Sequence, residues 1–201
     1  MDDIRNEVEL EGRVIQPPTL SHENHGTPFY RLILEIPRLS GQADRIPVLI
    51  TPPHLPLAGK GALLRIRGQL RSFNNRSGQG SRLVLTVFAR EAEPGLGENC
   101  NTIHLAGALC RPPVLRRTPL GRSICDLMLA VPRRYGRADY LPVIAWGQLA
   151  VLLSRRQVGE HIALEGRIQS RQYNKATDSG VEERTAYEVS VMRLGEDYFA
   201  P

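Results

Sequence analysis

Tyr140-Leu-Pro-Val-Ile-Ala-Trp-Gly147 reads as a β-strand. Successive strand side chains point to opposite faces, so Leu141, Val143 and Ala145 share one face and Tyr140, Ile144 and Trp146 the other. The first face is ordinary core. The second carries the only tryptophan of the chain and a tyrosine six residues before it. Large aromatics on the outer face of a strand have two readings. One is a second buried face or an oligomer contact. The other is a platform on which flat ligands stack.

The flanking sequence gives the fold. Downstream, Gly147–Arg156 reads as a short helix with Leu149, Leu152 and Leu153 at helical spacing, ended by Gly159. His161–Ser170 is a fourth strand with Ile162, Leu164 and Ile168 inward, and Arg171–Lys175 carries it outward. Thr177–Gly180 is a hairpin tip, and Ala186–Leu194 a fifth strand. Upstream, Asn101–Leu109 is a first strand with Ile103, Leu105 and Leu109 on one face. Pro112-Pro113 and Thr118–Gly121 are turns. Ser123–Val131 is a second strand with Cys125, Leu127, Leu129 and Val131 facing in. Arg133-Arg-Tyr-Gly-Arg137 is a basic loop with a tyrosine at its centre. Five strands with one short helix between the third and fourth is the order of an OB-fold barrel.

The chain contains this unit twice. Asn6–Gly12 aligns with Asn101–Gly107 at an offset of 95 residues. The same offset carries Pro17-Pro18 onto Pro112-Pro113, Gly26 onto Gly121, and Leu32, Leu34 and Ile36 onto Leu127, Leu129 and Val131. Further on, Gly61 and Gly68 match Gly159 and Gly166, and Phe73 matches Tyr173. The expected organisation is all-β: a first OB-fold over residues 1–94, a linker ending at 95–100, a second OB-fold over 101–195 and a short tail over 196–201. In the first copy, Thr51-Pro-Pro-His-Leu-Pro56 stands where the helix should be. Pro52, Pro53 and Pro56 predict a proline-rich loop there.

Composition agrees with a soluble globular protein. The 201 residues are 41% hydrophobic and 23% charged, with a net charge of +5. No apolar run approaches the ~20 residues of a membrane span, and the charged N-terminus has no signal segment, so a cytoplasmic protein is expected. Lys60 and Lys175 are the only lysines, leaving 24 arginines. Arginine forks onto phosphate and stacks on bases, although GC-rich coding produces the same bias. Cys100, Cys110 and Cys125 form neither a disulfide framework nor a zinc knuckle, and read as small buried thiols.

The second copy resembles the bacterial single-stranded DNA-binding protein family. The residues that carry the likeness are Asn101…Gly107, Arg116-Arg-Thr-Pro-Leu-Gly121, Leu129-Ala-Val131, Val143–Ala150, Val158–Tyr173 and Glu188–Val191. The resemblance implies base stacking on Tyr135, Tyr140, Trp146 and Tyr173. Arg116, Arg117, Arg122, Arg133, Arg134, Arg137, Arg171 and Lys175 stand around them as a phosphate track. It also implies a homodimer with four OB-folds, no cofactor or metal, and roles in DNA replication, recombination or repair. In the first copy Ser40, Arg45 and Thr51 replace Tyr135, Tyr140 and Trp146. Phe73 and Arg71 remain there as candidate DNA contacts, with Arg65, Arg67 and Arg76 nearby. That half reads as a weakened DNA site or an assembly module. Family members commonly end in a linker and an acidic tip that recruits replication and repair enzymes. Gly195–Pro201 offers only a short acidic and aromatic end, with no long tail.

Two other functional classes compete with this reading. Catalysis is disfavoured: Ala58-Gly-Lys-Gly61 lacks the earlier glycine and the Ser/Thr of a phosphate loop, and the five histidines have no partners at metal spacing. A protein-interaction or primosome-type accessory module is the alternative, with the same OB surface binding protein.

Overall fold

In this computed structural model the described residues are 6–75, 82–177 and 180–195, and the side chains of 134, 175 and 177 lie outside the described set. The first copy forms β1 (Asn6–Asn24), β2 (Thr27–Pro37), β3 (Ala43–Ile50), β4 (Leu63–Asn74) and β5 (Leu83–Pro94). The second forms β6 (Cys100–Leu109), β7 (Val114–Arg117), β8 (Ser123–Pro132), β9 (Ala138–Trp146), α1 (Gly147–Leu153), β10 (His161–Thr177) and β11 (Gly180–Leu194). In the first copy β1 pairs with both β2 and β4, β2 with β3, β3 with β5 in parallel, and β5 with β4, which closes the ring. β6, β8, β9, β11 and β10 follow the same circuit, with β9 and β11 parallel. Each copy is an OB-fold barrel.

Several elements differ from the sequence expectation. Pro112-Pro113 interrupt the first strand of the second copy, and the chain beyond them re-pairs with β8 as β7. In the first copy Pro17-Pro18 lie inside a continuous β1, at a register irregularity between Gln16 and Thr19. The proline-rich stretch is not a loop. Pro52–Leu57 winds as a 3-10 helix, with the His54 amide donating to the Thr51 carbonyl at 3.0 Å and Ala58 to Leu55 at 3.1 Å. Pro52 and Pro53 occupy its first turn, where no amide donor is needed. Helix α1 ends at Leu153 and buries Ala150 and Leu153, leaving Leu152 exposed. β10 and β11 are longer than expected, so Arg171–Lys175 continue the strand.

Alternation places the core where the sequence put it. Ile103, Leu105, Leu109, Cys125, Leu127, Leu129 and Val131 are all buried. Burial pushes the Cys125 thiol up to about 11. Cys100 and Cys110 are only half-buried. The repeated glycines have a shared cause. A Cβ on Gly12 would lie 2.6 Å from the Glu35 carbonyl oxygen, and one on Gly107 2.7 Å from that of Ala130. At Gly68 and Gly166 it would collide with the carbonyl oxygens of Phe88 and Ser190. In both barrels strands pass too closely for any side chain at these points.

Contacts divide the chain into two compact units. The N unit is Glu7–Thr102 together with Gln169–Tyr187. Among the described residues, the C unit is Ile103–Ile168 with Asn6 and residues 188–195. The outer part of the β10–β11 hairpin thus belongs to the N unit, although it is second-copy sequence. Ser170 shows why. Its amide donates to Asp44 Oδ1 at 2.8 Å, its carbonyl accepts from Arg38 Nη2 at 3.0 Å, and its hydroxyl accepts from the Arg45 amide at 3.0 Å. The segment after β5 is fastened to the same unit. Gly97 and Glu98 donate their amides to Oε1 of Glu11 at 2.6 and 2.8 Å, and Glu11 is only 1% exposed. Among the described residues no helix is long and apolar enough to cross a membrane.

Gly166→Ala should lower stability by about 1–3 kcal/mol, because the Ser190 backbone cannot yield to the new methyl group. Gly59→Ala, with open space around it, should stay within about 0.5 kcal/mol. Urea denaturation of the two variants checks both.

Candidate nucleic-acid interface

The outward face of β9 is built in rows across β8 and β7. Trp146 lies opposite Ile124, and Ile124 opposite Arg116; Ile144 lies opposite Asp126, and Asp126 opposite Val114. Tyr140 faces Ala130. Ile144 is 4% exposed, so this face is not uniformly open: its aliphatic middle is covered and its aromatic ends are not. Tyr140 is 52% exposed, and Trp146 is half-buried. Gly147 adopts a positive φ of 60°, which turns the chain from strand into α1 immediately after the tryptophan.

Arginine geometry sorts the expected phosphate track into different roles. The Arg122 guanidinium lies 5.6 Å from the Trp146 ring centroid, a cation–π arrangement. Arg116 donates through Nε to Asp126 Oδ2 at 2.5 Å and through Nη2 to Oδ1 at 3.2 Å. That pairing raises the Arg116 pKa further. Arg133 forks onto Asp139, with Nε–Oδ2 at 2.6 Å. Asp139 is fully buried. Arg117 and Arg137 are exposed and make no carboxylate pair among the described residues. The side chains of Arg134 and Lys175, and the whole of Arg76, lie outside the described residues.

The loop between β8 and β9 presents Tyr135. The Arg133 amide donates to the Arg137 carbonyl at 2.7 Å and closes the tip. Tyr135 sits at φ 63° and is 96% exposed. A left-handed backbone is uncommon for a non-glycine residue, and here it falls inside a tip whose Arg133 is also forked onto the buried Asp139. Tyr135, Tyr140 and Trp146 therefore share one β-hairpin of the C unit. Tyr173 belongs to the N unit, half-buried, with the Arg171 guanidinium 5.6 Å from its ring.

In the first copy Phe73 is 48% exposed. Arg71 donates to Gln69 Oε1. Arg65 and Arg67 are engaged by Glu9, at 2.9 and 3.2 Å. Hydrogen bonding to Arg65 holds the Glu9 carboxyl below its ordinary range. The buried Asp–Arg corner was missed from sequence, although the repeat signals it: Arg38 and Asp44 form the same fork in the first copy as Arg133 and Asp139 in the second. Among the described residues no group of three His, Cys, Asp or Glu is placed to hold a metal ion.

The geometry defines a tandem OB-fold protein with an aromatic and cationic face on its second barrel. The model of the single-strand binding protein family matches residues 100–195. The single-stranded DNA-binding protein of Thermus aquaticus is 36% identical over 114 residues, covering 54% of this chain and 42% of that protein. Single-stranded DNA-binding protein 2 of Streptococcus agalactiae is 32% identical over 82 residues, covering 37% of this chain and 63% of the relative. The matches thus span about two-fifths to three-fifths of these relatives' lengths. The crystal structure of wild-type single-stranded DNA binding protein from Thermus aquaticus superposes with a TM-score of 0.72 at 26% identity, covering 98% of this chain and 94% of that one. The family model thus matches the second copy, just under half of the chain.

Asp139→Ala should cost about 3–5 kcal/mol by leaving Arg133 without its buried partner. Arg137→Ala, on the exposed loop, should change stability by less than about 0.5 kcal/mol. Chemical denaturation checks the pair.

Proposed function

We propose that the outward face of the second copy binds single-stranded DNA without sequence preference, in replication, recombination or repair. The observation that carries this reading is that the hairpin of β8 and β9 leaves Tyr135, Tyr140 and Trp146 accessible beside unpaired arginines. Bases stack on aromatic rings whatever their identity, each contributing roughly 1–3 kcal/mol. Arg122 occupies one face of Trp146 in the free protein. An incoming base replaces the guanidinium there, and the freed charge turns to the adjacent phosphate. Arg117 and Arg137 add phosphate contacts, so affinity falls as salt rises. Arg116 and Arg133 shape the face through their carboxylates and contribute less to phosphate binding. Duplex binds more weakly, because its bases are already stacked on each other. Neither cofactor nor metal enters this mechanism. Two chains pair as a homodimer in this reading, bringing four OB-folds together, and replication or repair enzymes are the protein partners.

Titration with oligo-dT at low salt should quench the fluorescence of Trp146, and added salt should reverse the quench. Tyr140→Ala combined with Trp146→Ala should lower affinity on the order of a hundredfold, two stacking contacts being lost. Unchanged fluorescence together with no shift of labelled oligo-dT in a gel would overturn the reading. Light scattering should give a mass of about twice the 22.4 kDa of one chain.

A further inference from the structure

The N unit contains a groove of about 260 Å³ that no motif pointed to. Its lining includes Pro47 and Leu49 from β3, Arg31 from β2, Phe73 from β4, and Tyr187 from β11. All belong to the N unit, Tyr187 through the part of the second-copy hairpin that the unit incorporates.

The position of the groove on its barrel is informative. At the 95-residue offset Pro47 and Leu49 correspond to Pro142 and Ile144, the outward residues between Tyr140 and Trp146. Arg31 corresponds to Asp126, and Ser21, also in the lining, to Arg116. The second copy neutralises this spot with the Arg116–Asp126 ion pair. The first copy has a lone cation there. Arg31 lies opposite Leu49 in the β2–β3 ladder, is exposed, and has no carboxylate partner among the described residues. The charge at this spot is thus positive.

We propose that this groove is a second nucleobase slot, walled by Phe73 and Tyr187, with Arg31 meeting the phosphate of the same nucleotide. The proposal rests on the single-stranded DNA reading given above. The first copy lacks the three outward aromatics of the second, having Ser40, Arg45 and Thr51 in their places, and Arg45 is tied to Glu35 at 3.1 Å. Tyr187 restores a ring to that face from the other copy's sequence. Size selects the occupant. The volume falls below the ~300–1,000 Å³ of sites for drug-sized ligands, which suits one flat ring system and is too small for a peptide helix. Composition agrees: apolar walls for the faces of a base, and one cation for its backbone. Burial raises the Tyr187 pKa, so its phenol stays neutral and free to donate a hydrogen bond to a base edge.

The test uses the full chain with oligo-dT carrying 5-iodouracil at every third position. Photocrosslinking and peptide mapping should recover DNA on the peptides containing Phe73 or Tyr187 as well as on that containing Trp146. Tyr187→Ala should weaken oligo-dT binding at least about fivefold, while Tyr187→Phe stays within about twofold. Arg31→Ala should weaken binding and lower the salt slope by about one. If Tyr187→Ala lowers the melting temperature, Arg31→Ala and the crosslinks decide. Trp146 quenching with wild-type affinity in the variants, and no crosslink at Phe73 or Tyr187, overturns the slot while leaving DNA binding by the second copy intact. Absence of any DNA binding overturns both. Crosslinks at the slot with Trp146 silent uphold the slot and overturn the second-copy platform.

Discussion

Two backbones cross in each barrel with no room for a Cβ. Gly12 and Gly68 in the first copy, and Gly107 and Gly166 in the second, each face a carbonyl oxygen of a strand packed across them. Carbonyl oxygens of a paired ladder cannot retreat without breaking hydrogen bonds. The ring closes only while these positions stay bare. Each copy has the same two, and the shared barrel geometry follows. The closed barrel sets which way β3 and β9 face, and so decides where an outward side chain can reach a ligand.

A second shared device sits at the corner before the third strand. Arg38 forks onto Asp44, and Arg133 onto Asp139, with both aspartates essentially withdrawn from solvent. A buried carboxylate demands a partner, so these arginines are committed to the fold. In the second copy the pair flanks the tip carrying Tyr135. In the first it belongs to the corner that holds Ser170. Arginines of identical sequence character therefore do opposite jobs: Arg133 and Arg116 are held by aspartates, Arg122 and Arg171 lie over rings, and Arg117 and Arg137 face solvent. A count of basic residues overstates the phosphate track, because one-letter sequence does not show which carboxylate folds back onto which guanidinium.

The outward faces diverged where the barrels did not. Inside, each position must fill the same volume, so leucine, isoleucine and valine recur at the same offsets. Outside, only a ligand constrains the choice. The second copy has tyrosine and tryptophan with an exposed ion pair on the strands beside them; the first has a groove with Arg31 in the place of Asp126. Tyr187 differs from its strand neighbours Val189 and Val191: they are buried in the C unit, whereas Tyr187 belongs to the N unit.

Sequence alone determined the all-β class, the duplication, the order of the five barrel strands, their inward residues and the outward placing of Tyr135 and Tyr140. These follow from alternation, turn residues and a fixed offset, all local or periodic signals. It missed the 3-10 turn at Pro52–Leu57, where three prolines read as a loop, because proline forbids an interior α-helical hydrogen bond and not a tight turn begun at its own position. Only tertiary structure decided that Ile144 is covered while Tyr140 is open, and which arginines are already paired. It also decided that Gln169–Tyr187 completes the other unit. Each of these depends on residues far apart in the chain, brought together by barrel closure.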